Sequence, residues 1–200
     1  MQEFWNKRYS QEETVYGTEP NVFLKEQLAK LASGRILFPA EGEGRNALYA
    51  AAQGWQVQAF DYSDAGRQKA LRLASERGLN ITYTLSEAQN YTAAPESLDA
   101  VALIYAHFPP SLRQSFHRQM VEWLKPGGTV ILEAFHPKQL QEDYASGGPK
   151  DAALLYTADT LRQDFDALDI KLLQELEVEL QEGPFHRGRG FVTRLVATKP

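Results

Sequence analysis

The sequence predicts an α/β protein: a seven-stranded, mostly parallel sheet with helices on both faces and a C-terminal antiparallel hairpin. Three observations carry that prediction. Short apolar runs alternate with helical patterns along nearly the whole chain, the signature of strand–helix units around a parallel sheet. Leu98 to Ala106 is almost unbroken apolar sequence, as a central strand covered on both faces requires. Near the end, Leu176, Val178 and Leu180 alternate with charged residues. Only Gln181 to Gly190 separates them from the next strand, a connection too short for a parallel crossover.

The first helix opens at Pro20-Asn21, carries Phe23, Leu24, Leu28 and Leu31 on one face, and stops at Gly34. Arg35 to Ala40 is a buried strand. Gly42 and Gly44 form a tight turn, and Asn46 to Gln53 is an Ala-rich helix closed by Gly54. Trp55 to Asp61 is the second strand. Ser63 or Asp64 caps the helix that runs to Arg77, and Ile81 to Leu85 is the third strand. Beyond the apolar fourth strand, Pro109-Pro110 opens a helix bearing Leu112, Phe116, Met120 and Leu124; a proline there sacrifices only an N–H that would be unpaired anyway. A Lys125-Pro126-Gly127-Gly128 turn leads to the fifth strand, Thr129 to Phe135. A loop rich in Gly and Pro and a helix over Ala158 to Leu168 precede the hairpin, whose last strand is Phe191 to Thr198. No repeat or linker divides the chain, so residues 1–200 read as one domain, with 1–33 as N-terminal cap and first helix and 34–200 as the sheet core.

Composition narrows the function. The 200 residues are 43% hydrophobic, enough for one core. A net charge of -5 and the lack of a Lys/Arg run argue against a nucleic-acid partner. No stretch approaches the roughly 20 apolar residues of a membrane span, and Met1 to Ser10 has no apolar signal segment. A cytoplasmic protein, monomer or homodimer, is expected. The absence of cysteine removes disulfides, thiolate catalysis and Cys-based zinc sites. The four histidines lack the tight spacing of metal ligands, so no metal is expected.

The informative segment is Glu41-Gly42-Glu43-Gly44-Arg45-Asn46-Ala47, between the first strand and its helix. Glycine lets backbone come close to a ligand, and the helix start offers free N–H groups and a positive dipole end. Ligands of open α/β sheets bind outside the carboxyl ends of the strands, where this turn lies. Asp61 ends the second strand nineteen positions after Gly42. That spacing lets its carboxylate accept hydrogen bonds from both ribose hydroxyls of a nucleoside. The turn also fits G-x-G-x-x-A, a form of the NAD fingerprint. An NAD(P)-binding oxidoreductase and a catalytically silent nucleoside-binding module therefore stay open as alternatives.

Taken together, these features resemble the class I S-adenosylmethionine-dependent methyltransferases over nearly the whole chain. That family has a Rossmann-like sheet of five parallel units and a terminal hairpin, and commonly a turn like Pro126-Gly127-Gly128 before the fifth strand. Phe4-Trp5-Asn6-Lys7-Arg8-Tyr9, Tyr16-Gly17-Thr18-Glu19-Pro20 and the glycine loop are similar to the thiopurine and tellurite-resistance methyltransferase group. One departure stands out. Many members carry an acid and a further glycine just before the loop, where this chain has Phe38-Pro39-Ala40; Glu41 and Glu43 are the nearby negative charges.

The resemblance implies S-adenosylmethionine as cofactor, S-adenosylhomocysteine as product and a small-molecule methyl acceptor. Gly42 and Gly44 would pack against the methionine portion, Asp61 would hold the ribose, and Glu87 and Ala88 would lie beside the adenine. Tyr105 would face the sulfonium. Trp5, Arg8 and Tyr16 would cover the cofactor, with Arg8 on its carboxylate because a guanidinium matches that geometry. Glu41, Asn46 and Tyr62 complete the expected cofactor contacts. With Tyr105, His107 forms the expected catalytic pair, as a base or acceptor-orienting group; His136 and His186 are expected at the mouth. A soft sulfur, selenium or tellurium acceptor would need no base. Phe108-Pro109-Pro110 is not the Asn/Asp-Pro-Pro-aromatic signature, which speaks against nucleic-acid amino methylation. The Gly147-Gly148-Pro149-Lys150-Asp151 loop is expected to close over the site together with the N-terminal segment.

Overall fold

The computed structural model describes residues 2–11, 13–142, 144 and 146–200. Its strands are β1 (Arg35–Pro39), β2 (Gln56–Asp61), β3 (Ile81–Leu85), β4 (Leu98–Ile104), β5 (Leu124–Phe135), β6 (Asp169–Gln181) and β7 (Arg187–Thr198). Its helices are α1 (Gln2–Tyr9), α2 (Val22–Leu28), α3 (Arg45–Ala52), α4 (Asp64–Glu76), α5 (Pro110–Trp123) and α6 (Ala158–Asp164). The strands form one sheet in the order β3-β2-β1-β4-β5-β7-β6. Pairings from β3 across to β5 are parallel, and β7 runs antiparallel to both β5 and β6. This is the expected architecture.

Residues of each inner strand divide alternately between two cores, as the two-residue repeat of a strand demands. Ile36, Phe38, Ala100 and Ala102 pack against Phe23 and Leu24 of α2, Leu48 of α3 and Ala70 of α4. Leu37, Val101, Leu103, Val130 and Leu132 pack with Phe116, Met120 and Trp123 of α5 and Leu161 of α6. Among the described residues no helix is long and apolar enough to cross a membrane.

Several boundaries differ from the sequence expectation. The segment up to Tyr9 is a helix, α1, where the sequence predicts only a cap without a defined element. Asn21 caps α2 by accepting from Leu24 N–H, but the helix ends at Leu28, short of the half-buried Leu31. The expected turn at Lys125–Gly128 lies within β5. Gly127 there has φ +81°, and pairing with β4 shifts register between Leu98 and Ala100, so the segment is a bulge in a continuous strand. Of the two candidate caps for α4, Ser63 is the one used: its side chain accepts from Gly66 N–H. The C-terminal helix stops at Asp164 rather than Leu168, and β6 starts at Asp169 because it pairs with β7 along almost its whole length.

A buried cluster joins α5 to α6. Asp164 accepts from Arg113 Nε at 2.7 Å and from His117 Nδ1 at 2.9 Å. His117 stacks on Phe165, and its Nε2 has no hydrogen-bond partner. Burial lowers the pKa of His117 despite the nearby Asp164. Burial raises Asp164, but the hydrogen bonds from His117 and Arg113 outweigh it and hold its carboxyl below the usual range. A histidine depressed by folding resists the proton that the unfolded chain accepts below about pH 6.5. Its effect is therefore to lower stability as the medium becomes acidic. Between about pH 7 and about pH 5, His117→Phe should lose less stability than the parent, read from urea midpoints. Equal losses would rule out this origin.

Candidate functional site

Strand order reverses between β1 and β4, which opens a crevice at the carboxyl edge of the sheet. The chain turns there through three left-handed residues: Ala40 (φ 51°), Gly42 (φ 61°) and Gly44 (φ 83°). Ala40 stands where the resembling family has its additional glycine, and its conformation costs about 1–2 kcal/mol. Asp61 secures the turn. Its Oδ2 accepts from Gly42 N–H at 3.0 Å and its Oδ1 from Ser63 N–H at 2.7 Å. Burial raises the Asp61 pKa, opposed by the backbone bonds from Ser63 and Gly42. Tyr83, from β3, donates to the Gly42 carbonyl at 2.7 Å.

The two loop acids part ways. Glu41 Oε1 accepts from the N–H groups of Asn46 (2.9 Å) and Ala47 (2.8 Å) at the start of α3. Burial pushes its carboxyl up to about 7, against those bonds and the Arg45 charge. Glu43 faces the N-terminal segment, pairing with Lys69 Nζ at 2.7 Å and accepting from Val15 N–H at 2.8 Å. A carboxylate thus already fills the helix start that a pyrophosphate would need bare.

The α1 helix covers this loop. A Cβ on Gly42 would lie 2.6 Å from the Tyr9 hydroxyl, one on Gly44 would lie 2.7 Å from Ala70 Cβ, and one on Gly66 would lie 2.8 Å from the Gly42 carbonyl oxygen. Gly42 and Gly44 thus face Tyr9 and Ala70 on the sides where a Cβ would project. Trp5 stacks on Tyr9 at 5.3 Å and lies 6.5 Å from Tyr16. Arg8 sits 4.6 Å from the ring centres of both Phe4 and Phe185 and donates to Tyr16 OH at 3.4 Å. Among the described residues it has no carboxylate partner.

At the other end of the crevice, Tyr62, Leu85, Ser86, Glu87 and Asn90 line a cavity of about 320 Å³. Ser86 N–H donates to the Asp61 carbonyl, which fixes this wall beside the loop. Glu87 is exposed and accepts from Gln89 Nε2, whereas Ala88 points into the core with Tyr91. A larger cavity, about 500 Å³, lies between residues 16–22 and β6 and shares no lining residue with this one.

Tyr105, with φ 53°, directly follows β4. Its hydroxyl donates to Glu133 Oε1 at 2.8 Å. Glu133 is the centre of a buried network: Asn21 Nδ2 donates to it at 2.6 Å and Arg194 Nε at 2.5 Å. The same Asn21 nitrogen reaches Glu182 at 2.9 Å, and Glu182 also accepts from Arg45 (2.8 Å) and His186 Nδ1 (3.3 Å). Burial raises Glu182, but His186 and Arg45 hold its carboxyl down to about 2. The His186 ring lies 4.4 Å from Tyr16, 4.6 Å from Tyr105 and 5.3 Å from Phe135. Gly147 and Gly148 rest on this cluster, where a Cβ would approach His186 Cδ2 to 3.1 Å and the Phe135 ring to 2.7 Å respectively.

His107 has a different place from the one expected of a base. Its Nδ1–H donates to the Leu154 carbonyl at 2.6 Å, and its Nε2 accepts from Phe135 N–H at 3.4 Å. Burial pushes its pKa down to about 4. Both nitrogens serve the backbone, so no lone pair faces an acceptor. His136 likewise caps a local turn through Lys138 N–H and lies near Glu175. The side chain of Asn46 accepts from Asn21 N–H, which ties it to the cap. Sequence reasoning passed over Asn6, Tyr9, Asn21, Glu133 and Glu182. Only Glu133 carried a signal, as a lone acid in the apolar run Val130 to Phe135. Glu133→Ala leaves Arg194 largely buried without its partner and should cost about 3–5 kcal/mol of stability, measured by urea unfolding; a loss below about 1 kcal/mol would refute the assigned role of the network.

The chain is similar to known methyltransferases. Residues 36–128 match the family model for a methyltransferase domain. Two thiopurine S-methyltransferases of Legionella pneumophila, from strains Paris and Philadelphia 1, are each 25% identical over 181 residues, covering 78% of this chain and 80% of theirs. TehB from Haemophilus influenzae superposes with TM-score 0.74 at 15% identity, over 100% of this chain and 67% of that one. A chain from work on the conversion of a disulfide bond into a thioacetal group during echinomycin biosynthesis superposes with TM-score 0.80 at 19% identity, over 100% of this chain and 91% of that one. These two superpositions concern the fold.

Proposed function

The chain is a class I S-adenosylmethionine-dependent methyltransferase, and from that premise we propose that it methylates a small molecule at a soft sulfur, selenium or tellurium atom. One observation carries the choice of nucleoside: the α3 amides are filled by Glu41 while the Asp61 carboxylate stands beside them. That arrangement suits a nucleoside without phosphates and disfavours NAD(P).

The residues present fit the cofactor. Asp61 offers carboxylate oxygens, each with a further lone pair, to the ribose hydroxyls. Tyr62, Ser86, Glu87 and Asn90 line a cavity for the adenine. Arg8, lacking an ion-pair partner among the described residues, suits the carboxylate of the methionine portion, under the cover of Trp5 and Tyr16. When bound, the cofactor supplies a methyl group on a positively charged sulfur, whose departure as a neutral thioether needs no acid.

The protein's task is then alignment and exclusion of water, and orientation alone contributes several kcal/mol. Tyr16, Tyr105, Phe135 and His186 form an aromatic wall whose ring faces favour a cation. The Gly147–Gly148 segment on top of it, with α1, acts as the lid. A soft anion needs no base, in keeping with the engagement of both His107 nitrogens. The sulfur acceptor in the name of the Legionella relatives supports the same class. Among the described groups of the wall, His186 is the one with a ring nitrogen, Nε2, left to orient an acceptor.

With S-adenosylmethionine and a panel of thiols, selenols, tellurite, amines and phenols, S-adenosylhomocysteine should form with the soft nucleophiles. Turnover confined to amines or phenols would overturn the acceptor class, and none at all would favour the silent module. Asp61→Ala should weaken S-adenosylhomocysteine binding about 10- to 100-fold, as expected for a lost hydrogen bond to a charged group. Unchanged calorimetric affinity would remove the ribose assignment.

A further inference from the structure

We infer that Gln139 is a positioning residue: it latches residues 146–150 over the aromatic wall, so that a methyl acceptor enters and its product leaves only when the latch opens. The inference rests on the methyltransferase reading and concerns control of the same site.

The latch is built at the end of β5. Pairing of β5 with β7 stops at Phe135 and Val192, and the chain then winds into a short 3-10 turn, Pro137–Leu140, capped by His136. That turn lays Gln139 against β7, where it is 2% exposed. Phe191 N–H lies just past the β5 ladder and needs a partner; Gln139 Oε1 accepts from it at 2.8 Å. One end of the side-chain amide is thereby fixed to the sheet. The other end, Nε2, donates to Ser146 Oγ and to the Gly147 carbonyl, each at 3.1 Å. Among the described residues, these two are the hydrogen bonds that reach residues 146–150. A primary amide suits the task because it accepts on one side and donates twice on the other.

The latched segment lies flush with what it covers. Ser146 is buried against Gly190 of β7, where a Cβ would lie 2.8 Å from the Ser146 Oγ. A Cβ on Gly147 would run into the Phe185 carbonyl oxygen, and one on Gly148 would lie 2.7 Å from the Phe135 ring. A sulfur atom with its substituent is larger than the methyl group refused at both places. It reaches the covered face of Phe135 only when residues 146–150 rise. Rising breaks two neutral hydrogen bonds that water replaces, so opening costs little and can recur at each turnover.

Trypsin cleavage after the exposed Lys150 reads the opening with no acceptor present. In Gln139→Ala that cleavage should be about tenfold faster than in the parent, the factor expected for the two bonds lost. Gln139→Ala also strips Phe191 N–H of its partner, so Gln139→Glu serves as the second variant. Its carboxylate still accepts from Phe191 but has no proton to donate, and it should show at least the same acceleration. Cleavage after Arg77, the exposed C-cap of α4, should keep the parent's rate in both. With S-adenosylmethionine, the preference for small over bulky thiols, taken as a ratio of kcat/KM values, should shrink by the same factor. Parental cleavage at Lys150 in both variants overturns the inference. Equal acceleration at Lys150 and Arg77 does so too, since it makes Gln139 a residue of general stability only. An unaltered thiol preference removes the acceptor gate. If the parent methylates no thiol, the proposed acceptor class falls, while the cleavage rates still decide the latch.

Discussion

The carboxylate of Asp61 holds the amides of Gly42 and Ser63 at once, one from each oxygen. Because it ends β2 and grips the loop leaving β1, it converts the spacing of two adjacent strands into a fixed turn. Tyr83 adds β3 by bonding the Gly42 carbonyl. The glycine turn is therefore locked from both its N–H and C=O sides, and α1 lies over it with Tyr9 against Gly42. A loop so restrained presents its amides and acids in one arrangement, which is what recognition of a nucleoside requires.

A second constraint acts beyond the end of β4, around Tyr105 and His186. Asn21, Glu133, Glu182 and Arg45 are buried together with the partly exposed Arg194, and ionised groups in that position are costly unless every partner is present. The network joins the cap segment, α3, β5, β7 and the hairpin tip. Its members specify where the cap crosses the sheet more than they add stability, because a shift of the cap would strand a charge. Tyr105 and His186 hang from it through Glu133 and Glu182. The aromatic wall thus inherits its position from a polar framework beneath it, and the two glycines of the 147–148 segment let the covering loop settle onto the rings.

Glu41 and Glu43 show how differently two nearby loop acids can be engaged. Two residues apart, they face different partners: one meets the start of α3, the other Lys69 and the N-terminal segment. The first occupies, at the start of α3, amides of the kind that bind phosphates at a dinucleotide loop.

Strand positions, the glycine turn and Asp61 were legible in the chain because they follow from local rules. Side-chain alternation, turn residues and the length of a strand–helix unit place Asp61 beside Gly42 with no knowledge of distant contacts. Even the antiparallel ending followed from the brevity of its connection. The limits of β6 and α6, by contrast, depend on pairing with β7 and on packing across the sheet. His107 reads as a base until its nitrogens meet Leu154 and Phe135, and Asn21, at the opening of the first helix, caps it and also meets Glu133 and Glu182, 112 and 161 positions away. Sequence alone determined which strands form and where the crevice opens, since both are set by near neighbours. Tertiary structure decided which polar groups remain available inside it, because hydrogen-bond partners are assigned by folding and not by order along the chain.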